Sequence, residues 1–154
     1  MGHEDDLMPL SGECLCGLIK FEVGRFAGPF ELCHCSKCRR AFGSAFAALI
    51  GVNRTEFRWI SGEDVIEKFE APVEKFPPGY RTAFCRTCGS PAPNIPEGAD
   101  WFEIPAGLFE TNFQETPDRH IYTDYASRWH EISDDLPQLT ENALIKLRLK
   151  ASGR

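Results

Sequence analysis

The chain has 154 residues, 42% of them hydrophobic and 26% charged, which is the composition of an ordinary globular protein long enough to bury a core. A net charge of −6 and a pI near 5.2 argue against a nucleic-acid-binding face, which carries a basic excess. The opening Met1-Gly2-His3-Glu4-Asp5-Asp6 is acidic rather than a basic leader, and the longest apolar run, Ala45 to Val52, is far too short to span a bilayer. The expectation is therefore a cytoplasmic protein with no membrane and no nucleic-acid partner.

Taken in order, an acidic tail read as mobile leads into Gly12-Glu13-Cys14-Leu15-Cys16-Gly17. Ile19, Phe21 and Val23 then alternate with Lys20 and Glu22, the period of a half-buried strand. Gly28-Pro29 breaks it, and Phe30 to Cys35 reads as a second strand. Ser36 as N-cap and Gly43 just past the end predict a short helix over Ser36 to Phe42. Phe46 to Val52 has the length of a central strand, Trp59 to Asp64 reads as a turn, and Val65 to Glu70 alternates again. Residues 72–79 hold three of the eleven prolines and read as loop. Short strands are predicted at Arg81 to Phe84, Trp101 to Ala106 and His120 to Tyr122. A longer helix is predicted over Thr140 to Lys150, with Ala143, Leu144 and Leu147 on one face. Trp59, Trp101 and Trp129 read as core and rim residues. The whole is mainly β, one domain with short helices and no linker.

The cysteines carry the chemistry. Seven of them in a chain without an export signal read as metal ligands rather than as a disulfide framework, and an odd number cannot all pair. Cys14-Leu15-Cys16-Gly17 and Cys85-Arg86-Thr87-Cys88-Gly89 each end in glycine, which lets the backbone turn tightly under a ligand sulfur. Together Cys14, Cys16, Cys85 and Cys88 make the four-thiolate set of a closed structural zinc site. The remaining three, Cys33, Cys35 and Cys38, fall within six residues. Side chains at i and i+2 of a strand share a face, so Cys33 and Cys35 point together with His34 opposite, and the helical turn returns Cys38 towards them. Three thiolates are one ligand short of a tetrahedron, the form of a catalytic zinc site with an exchangeable position. A second structural zinc completed by His34, His120 or His130, and a metal-free redox cluster, are the competing readings. Lys37, Arg39 and Arg40 sit beside the three cysteines, where they would offset a zinc trithiolate's net negative charge and meet substrate carboxylates.

Three segments, residues 12–17, Cys33-His34-Cys35-Ser36-Lys37-Cys38-Arg39-Arg40, and Phe84-Cys85-Arg86-Thr87-Cys88-Gly89-Ser90-Pro91, resemble the glutathione-dependent formaldehyde-activating enzyme family, which shares its domain with centromere protein V. A late segment, His120-Ile121-Tyr122 through Trp129-His130-Glu131-Ile132 to Leu136-Pro137, is similar too, and Glu13 stands where a second glycine is usual. The resemblance covers residues 11–137, leaving a tail at 1–10 and a C-terminal helix and tail at 138–154. It implies a zinc-bearing β-tent of small antiparallel sheets, with structural zinc on Cys14, Cys16, Cys85 and Cys88 and catalytic zinc on Cys33, Cys35 and Cys38. Two Zn²⁺ per chain are then expected, with the three-cysteine site open to partial loading. The implied activity is that of a carbon–sulfur lyase adding glutathione to formaldehyde, giving S-hydroxymethylglutathione. The partner is then a small-molecule thiol such as glutathione, and the competing reading is a non-catalytic zinc-stabilised binding module.

Overall fold

The structure is a computed structural model that describes residues 8–110 and 112–153. In chain order the strands are β1 (Leu10–Glu13), β2 (Lys20–Val23), β3 (Phe30–Cys33), β4 (Ala47–Asn53), β5 (Phe57–Ser61), β6 (Ile66–Glu70), β7 (Arg81–Cys85), β8 (Trp101–Pro105), β9 (Arg119–Ile121) and β10 (Gln138–Leu139). The α-helices are α1 (Ser36–Phe42), between β3 and β4, and α2 (Glu141–Ala151), after β10. The fold is thus mainly β, with small sheets and two helices. The chain divides into two compact units, residues 1–28 with 51–114, and residues 29–50 with 115–154.

In the first unit β1, β2 and β5 form an antiparallel sheet in that order, and β6 and β7 form a separate antiparallel ribbon. The alternation read at Ile19, Phe21 and Val23 is real, for all three side chains are buried. Phe21 and Val23 meet Val52, Phe57, Phe102 and Ile104 in one apolar core. Aromatic edges fill it: Phe57 lies edge-on to Trp59 and Phe102, and Phe21 edge-on to Phe109. A second core gathers Cys14, Ile19, Ala83, Cys85 and Ala92. Trp59 packs against both cores, as a core residue should, whereas Trp101 is half-exposed and donates to the Gly28 carbonyl. The segment read as a turn from Trp59 instead continues as strand to Ser61. Pairing with β2 captures it, since Phe21 faces Trp59 and Lys20 faces Ser61 in the register.

In the second unit β3 is flanked by β4 on one side and β9 on the other, with β10 beyond β9. Its pairing with β4 is antiparallel, but β9 runs parallel to both β3 and β10. The sheet is therefore mixed rather than antiparallel throughout. Parallel pairing needs a crossover, and residues 34–118 supply it between β3 and β9. All four β3 residues are buried, including the Glu31 carboxylate. Glu31 is satisfied by Arg119 at 2.6 Å, its partner in the β3–β9 register, and by Arg148 of α2 at 3.4 Å. Thr140 caps α2 by accepting the Ala143 N–H, and Leu144 is the helix residue that is fully buried. Leu147, expected on the same face, is 37% exposed.

Among the described residues no helix is long and apolar enough to cross a membrane. The acidic residues 1–7 of the predicted tail lie outside the described residues, and Leu10 already belongs to β1.

Candidate metal centres

The four-cysteine cluster is built from two tight turns of the first unit. After β1 the chain reverses at Cys14, which bonds to Ile19 in both directions: its N–H to the Ile19 carbonyl at 3.1 Å, its sulfur from the Ile19 N–H at 3.3 Å. Gly17 closes that turn onto the Cys14 carbonyl at a φ of 77°, and Gly89 closes its counterpart onto Cys85 at 76°. Both lie in the left-handed region that favours glycine. Ser90 locks one turn to the other, its hydroxyl accepting the Leu15 N–H at 2.9 Å.

The sulfurs of Cys14, Cys16, Cys85 and Cys88 all lie within 4.8 Å of one another, with Cys14 and Cys16 at 3.5 Å and Cys16 and Cys85 at 3.8 Å. Four thiolates at about 2.3 Å around zinc stand about 3.8 Å apart at tetrahedral angles, so this set fits the ion. Hydrogen bonds from the Ser90 hydroxyl and N–H draw Cys88 down to about 5. Cys16 is favoured as thiolate by the Leu18 N–H but pushed up to about 12 by partial desolvation and its three neighbouring thiols. Four thiols this close cannot all ionise unaided, and a cation relieves that conflict.

The three-cysteine cluster is built where β3 runs into α1. Cys33 ends β3, paired with Ala47 on one side and Ile121 on the other. The helix forms over Ser36–Phe42 as predicted and ends at Gly43 in the left-handed conformation. Its N-cap is Cys35 rather than Ser36, with the Cys35 sulfur accepting the Cys38 N–H at 3.3 Å. A sulfur there does the capping work of a hydroxyl and is at the same time drawn towards Cys38. The sulfurs of Cys33, Cys35 and Cys38 converge within 4.8 Å, and neither histidine nor carboxylate joins them among the described residues. Hydrogen bonds from the Cys33 and Cys38 thiols hold Cys35 down at about 2, while the same sharing pushes Cys33 up. Cys35 is the surface-facing corner of a trio whose other two members are buried. A single cation fits such a donor set.

Of the three cations predicted beside it, Lys37 is half-buried and Arg40 is exposed. Arg39 is half-buried, and its Nε is shielded from solvent without a hydrogen-bond partner among the described residues. His34 points away from the sulfurs, as strand alternation requires, and is fully buried. Its Nε2 lies 2.8 Å from His120 Nδ1, and His120 Nε2 lies 2.9 Å from Asp134. Burial, with the charges of His120, His130 and Arg39 around it, lowers His34 to about 4. His120 and His130 are thus not ligands of the cluster; His120 contacts His34, and His130 stacks beside it with ring centroids 6.5 Å apart. Asp134 carried no signal of its own in the sequence, because an aspartate in a polar loop, here beside Asp135, looks like any other. Tyr122 is a second position that pattern reading passes over: it directly follows Ile121, Cys33's partner, and holds a left-handed φ of 55°, strained for a bulky residue.

Known proteins match this chain over most of its length. A protein of Halomonas elongata named "Putative glutathione-dependent formaldehyde-activating enzyme" is 26% identical over 131 residues, 81% of this chain and 82% of that one. A crystal structure of a Rhodobacter sphaeroides protein matches 67% of this chain and 90% of that chain, with a TM-score of 0.48 and 22% sequence identity. The family model described as "Glutathione-dependent formaldehyde-activating enzyme" matches residues 9–125, a span holding all seven cysteines. The chain belongs to the glutathione-dependent formaldehyde-activating enzyme family.

Proposed function

We propose that the protein is a zinc-dependent carbon–sulfur lyase that adds a thiol, glutathione or a relative of it, to formaldehyde or a similarly small aldehyde. The observation that carries this reading is the inequality of the two clusters. One offers four converging sulfurs and the other three, with no fourth protein ligand among the described residues. In this reading Cys14, Cys16, Cys85 and Cys88 hold a structural zinc, and Cys33, Cys35 and Cys38 hold a catalytic one, giving two per chain.

A zinc ion held by the three cysteines would favour the thiolate form of an incoming thiol and polarise an aldehyde oxygen. A thiol of pKa 8.5 is only about 3% ionised at pH 7, so full ionisation contributes at most about thirtyfold, or ~2 kcal/mol. Any larger acceleration has to come from positioning the two reactants. That falls to the chain's own residues. The end of β3 and the first turn of α1 fix the three sulfurs, and burial of Cys33 and Cys38 keeps water from two of them. Lys37, Arg39 and Arg40 are assigned to the substrate's carboxylates, Arg40 as the most exposed of the three. All seven cysteines are free thiols, which suits a reducing compartment, and we place the protein in the cytoplasm.

Calorimetry of the zinc-loaded protein with glutathione and with S-methylglutathione tests the reading. Glutathione binds more tightly as pH rises towards its thiol pKa, because the proton leaves on binding, whereas the methyl ether, which cannot ionise, binds far more weakly. Equal affinities, or no binding of either, would replace the enzyme with a zinc-stabilised binding module.

A further inference from the structure

Behind the three-cysteine cluster runs a line of polar groups that the proposed reaction does not use. Asp134, whose side chain is 47% exposed, meets His120 Nε2 with both carboxylate oxygens, at 2.9 and 3.1 Å. One of those oxygens also accepts the Leu136 N–H, which fixes the turn that leads into β10. His120 is buried, and its Nδ1 lies 2.8 Å from His34 Nε2. The carboxylate is an acceptor, so His120 carries its proton on Nε2. His34 Nε2 and His120 Nδ1 share one hydrogen bond whose direction is set by the tautomers. His34 Nδ1 is fully buried and without a partner among the described residues.

One other side-chain atom shares that condition, Arg39 Nε, an obligatory donor. Arg39 follows Cys38 on α1, and its charge acts on His34. Polar atoms buried without a partner are costly, and native proteins satisfy such groups with ordered water.

The position of His34 gives this line its consequence. It is bonded through its peptide groups to Cys33 and to Cys35, so its backbone angles set the angle between two of the three sulfurs. Its N–H is already held by the Ile121 carbonyl at 2.9 Å, and fixing the ring leaves that residue no freedom.

We propose that Asp134, His120 and His34 are positioning residues that fix the backbone between Cys33 and Cys35, and with it the angle between two of the three sulfurs. The proposal rests on the reading of that cluster as a metal site, and it needs no statement about which thiol or aldehyde is used.

The test uses the full-length protein with cobalt(II) as the probe, titrated against a chromophoric chelator, because cobalt–thiolate absorption reports ligand geometry. Asp134→Ala is expected to weaken cobalt at the three-cysteine site about tenfold to a hundredfold and to shift its visible spectrum. The melting temperature falls only slightly, and cobalt affinity at the four-cysteine site stays as in the wild type. Asp134→Asn, whose amide oxygen still accepts from His120, restores most of both. An Asp134→Ala protein with wild-type affinity and spectrum would overturn the proposal. So would an Asp134→Asn protein as impaired as the alanine variant, since charge rather than a held ring would then be responsible. If cobalt responds as expected but the wild type consumes no thiol and aldehyde, the enzyme reading fails and this one stands. If the wild type catalyses and cobalt does not respond, the reverse holds.

Discussion

The two cysteine clusters of this protein use the same ligand and are made in opposite ways. Cys14 and Cys16 must meet Cys85 and Cys88, and the Cys16 and Cys85 sulfurs are brought to 3.8 Å across a sequence separation of 69 residues. Ordering such a loop costs entropy that two small turns cannot offset, so a metal there would act as a piece of tertiary structure. Cys33, Cys35 and Cys38 are gathered by one strand end and one turn of helix, held by β3 pairing and by the sulfur cap on α1. A metal on that cluster closes almost no loop. The difference teaches that ligand count and ligand spacing together separate a metal that builds a fold from one that occupies it.

The comparison breaks most visibly at Cys88. Structural zinc contributes about 10–16 kcal/mol in small peptides, against about 5–15 kcal/mol for the stability of a whole domain. Cys88→Ser is therefore expected to yield insoluble or unfolded protein. A soluble Cys88→Ser protein with an unchanged melting temperature by circular dichroism would show that the four-cysteine set is not a folding requirement.

Cys35→Ser is the matching change in the other cluster and should be milder. The fold stays, and zinc measured by mass spectrometry drops from about two per chain to about one. Collapse of this variant, in the manner expected for Cys88→Ser, would mean that both clusters are structural.

The second unit has its own fastening in Glu31, buried against Arg119 and Arg148. Both arginines keep some contact with solvent, 24% and 54% exposed, which limits the penalty of leaving them unpaired. Glu31→Gln is expected to lower the urea midpoint by the equivalent of about 1–3 kcal/mol at constant slope, with zinc content unchanged. Loss of zinc from this variant would tie the metal to the fastening and blur the contrast drawn here.

Acid provides the mildest probe. The hydrogen bond from His120 holds Asp134 below the usual carboxylate range. Its contribution is then fully present above the unfolded value near pH 3.9 and is lost as pH falls through the lowered folded value. Asp134→Asn should lower stability near neutrality, flatten the profile below about pH 4 and converge on the wild type in acid. A variant that matches the wild type near neutrality and departs from it only in acid would contradict that sign.

The clusters were legible in the sequence because cysteine spacing is local and chemically unambiguous, and the β-rich class followed from alternation such as Ile19, Phe21 and Val23. Harder to read were features whose cause lies in another segment. Trp59 to Ser61 looks like a turn until β2 is beside it, and the two-residue β10 exists only because β9 offers an edge. Ser36 has the usual composition of an N-cap, but the cap went to Cys35, whose sulfur is held in place by its neighbours. Nothing in the sequence paired Glu31 with Arg119 and Arg148, or Asp134 with His120, because each of these contacts crosses a long stretch of chain.

The claim on which the account turns is that one cluster is closed and the other open. X-ray absorption at the zinc edge measures it directly on protein carrying two zinc ions per chain. The account predicts about 3.5 sulfurs per zinc on average, with the remainder oxygen, rising to about 4 when glutathione is added. Four sulfurs before any thiol is added, or a nitrogen ligand that glutathione fails to displace, would contradict it.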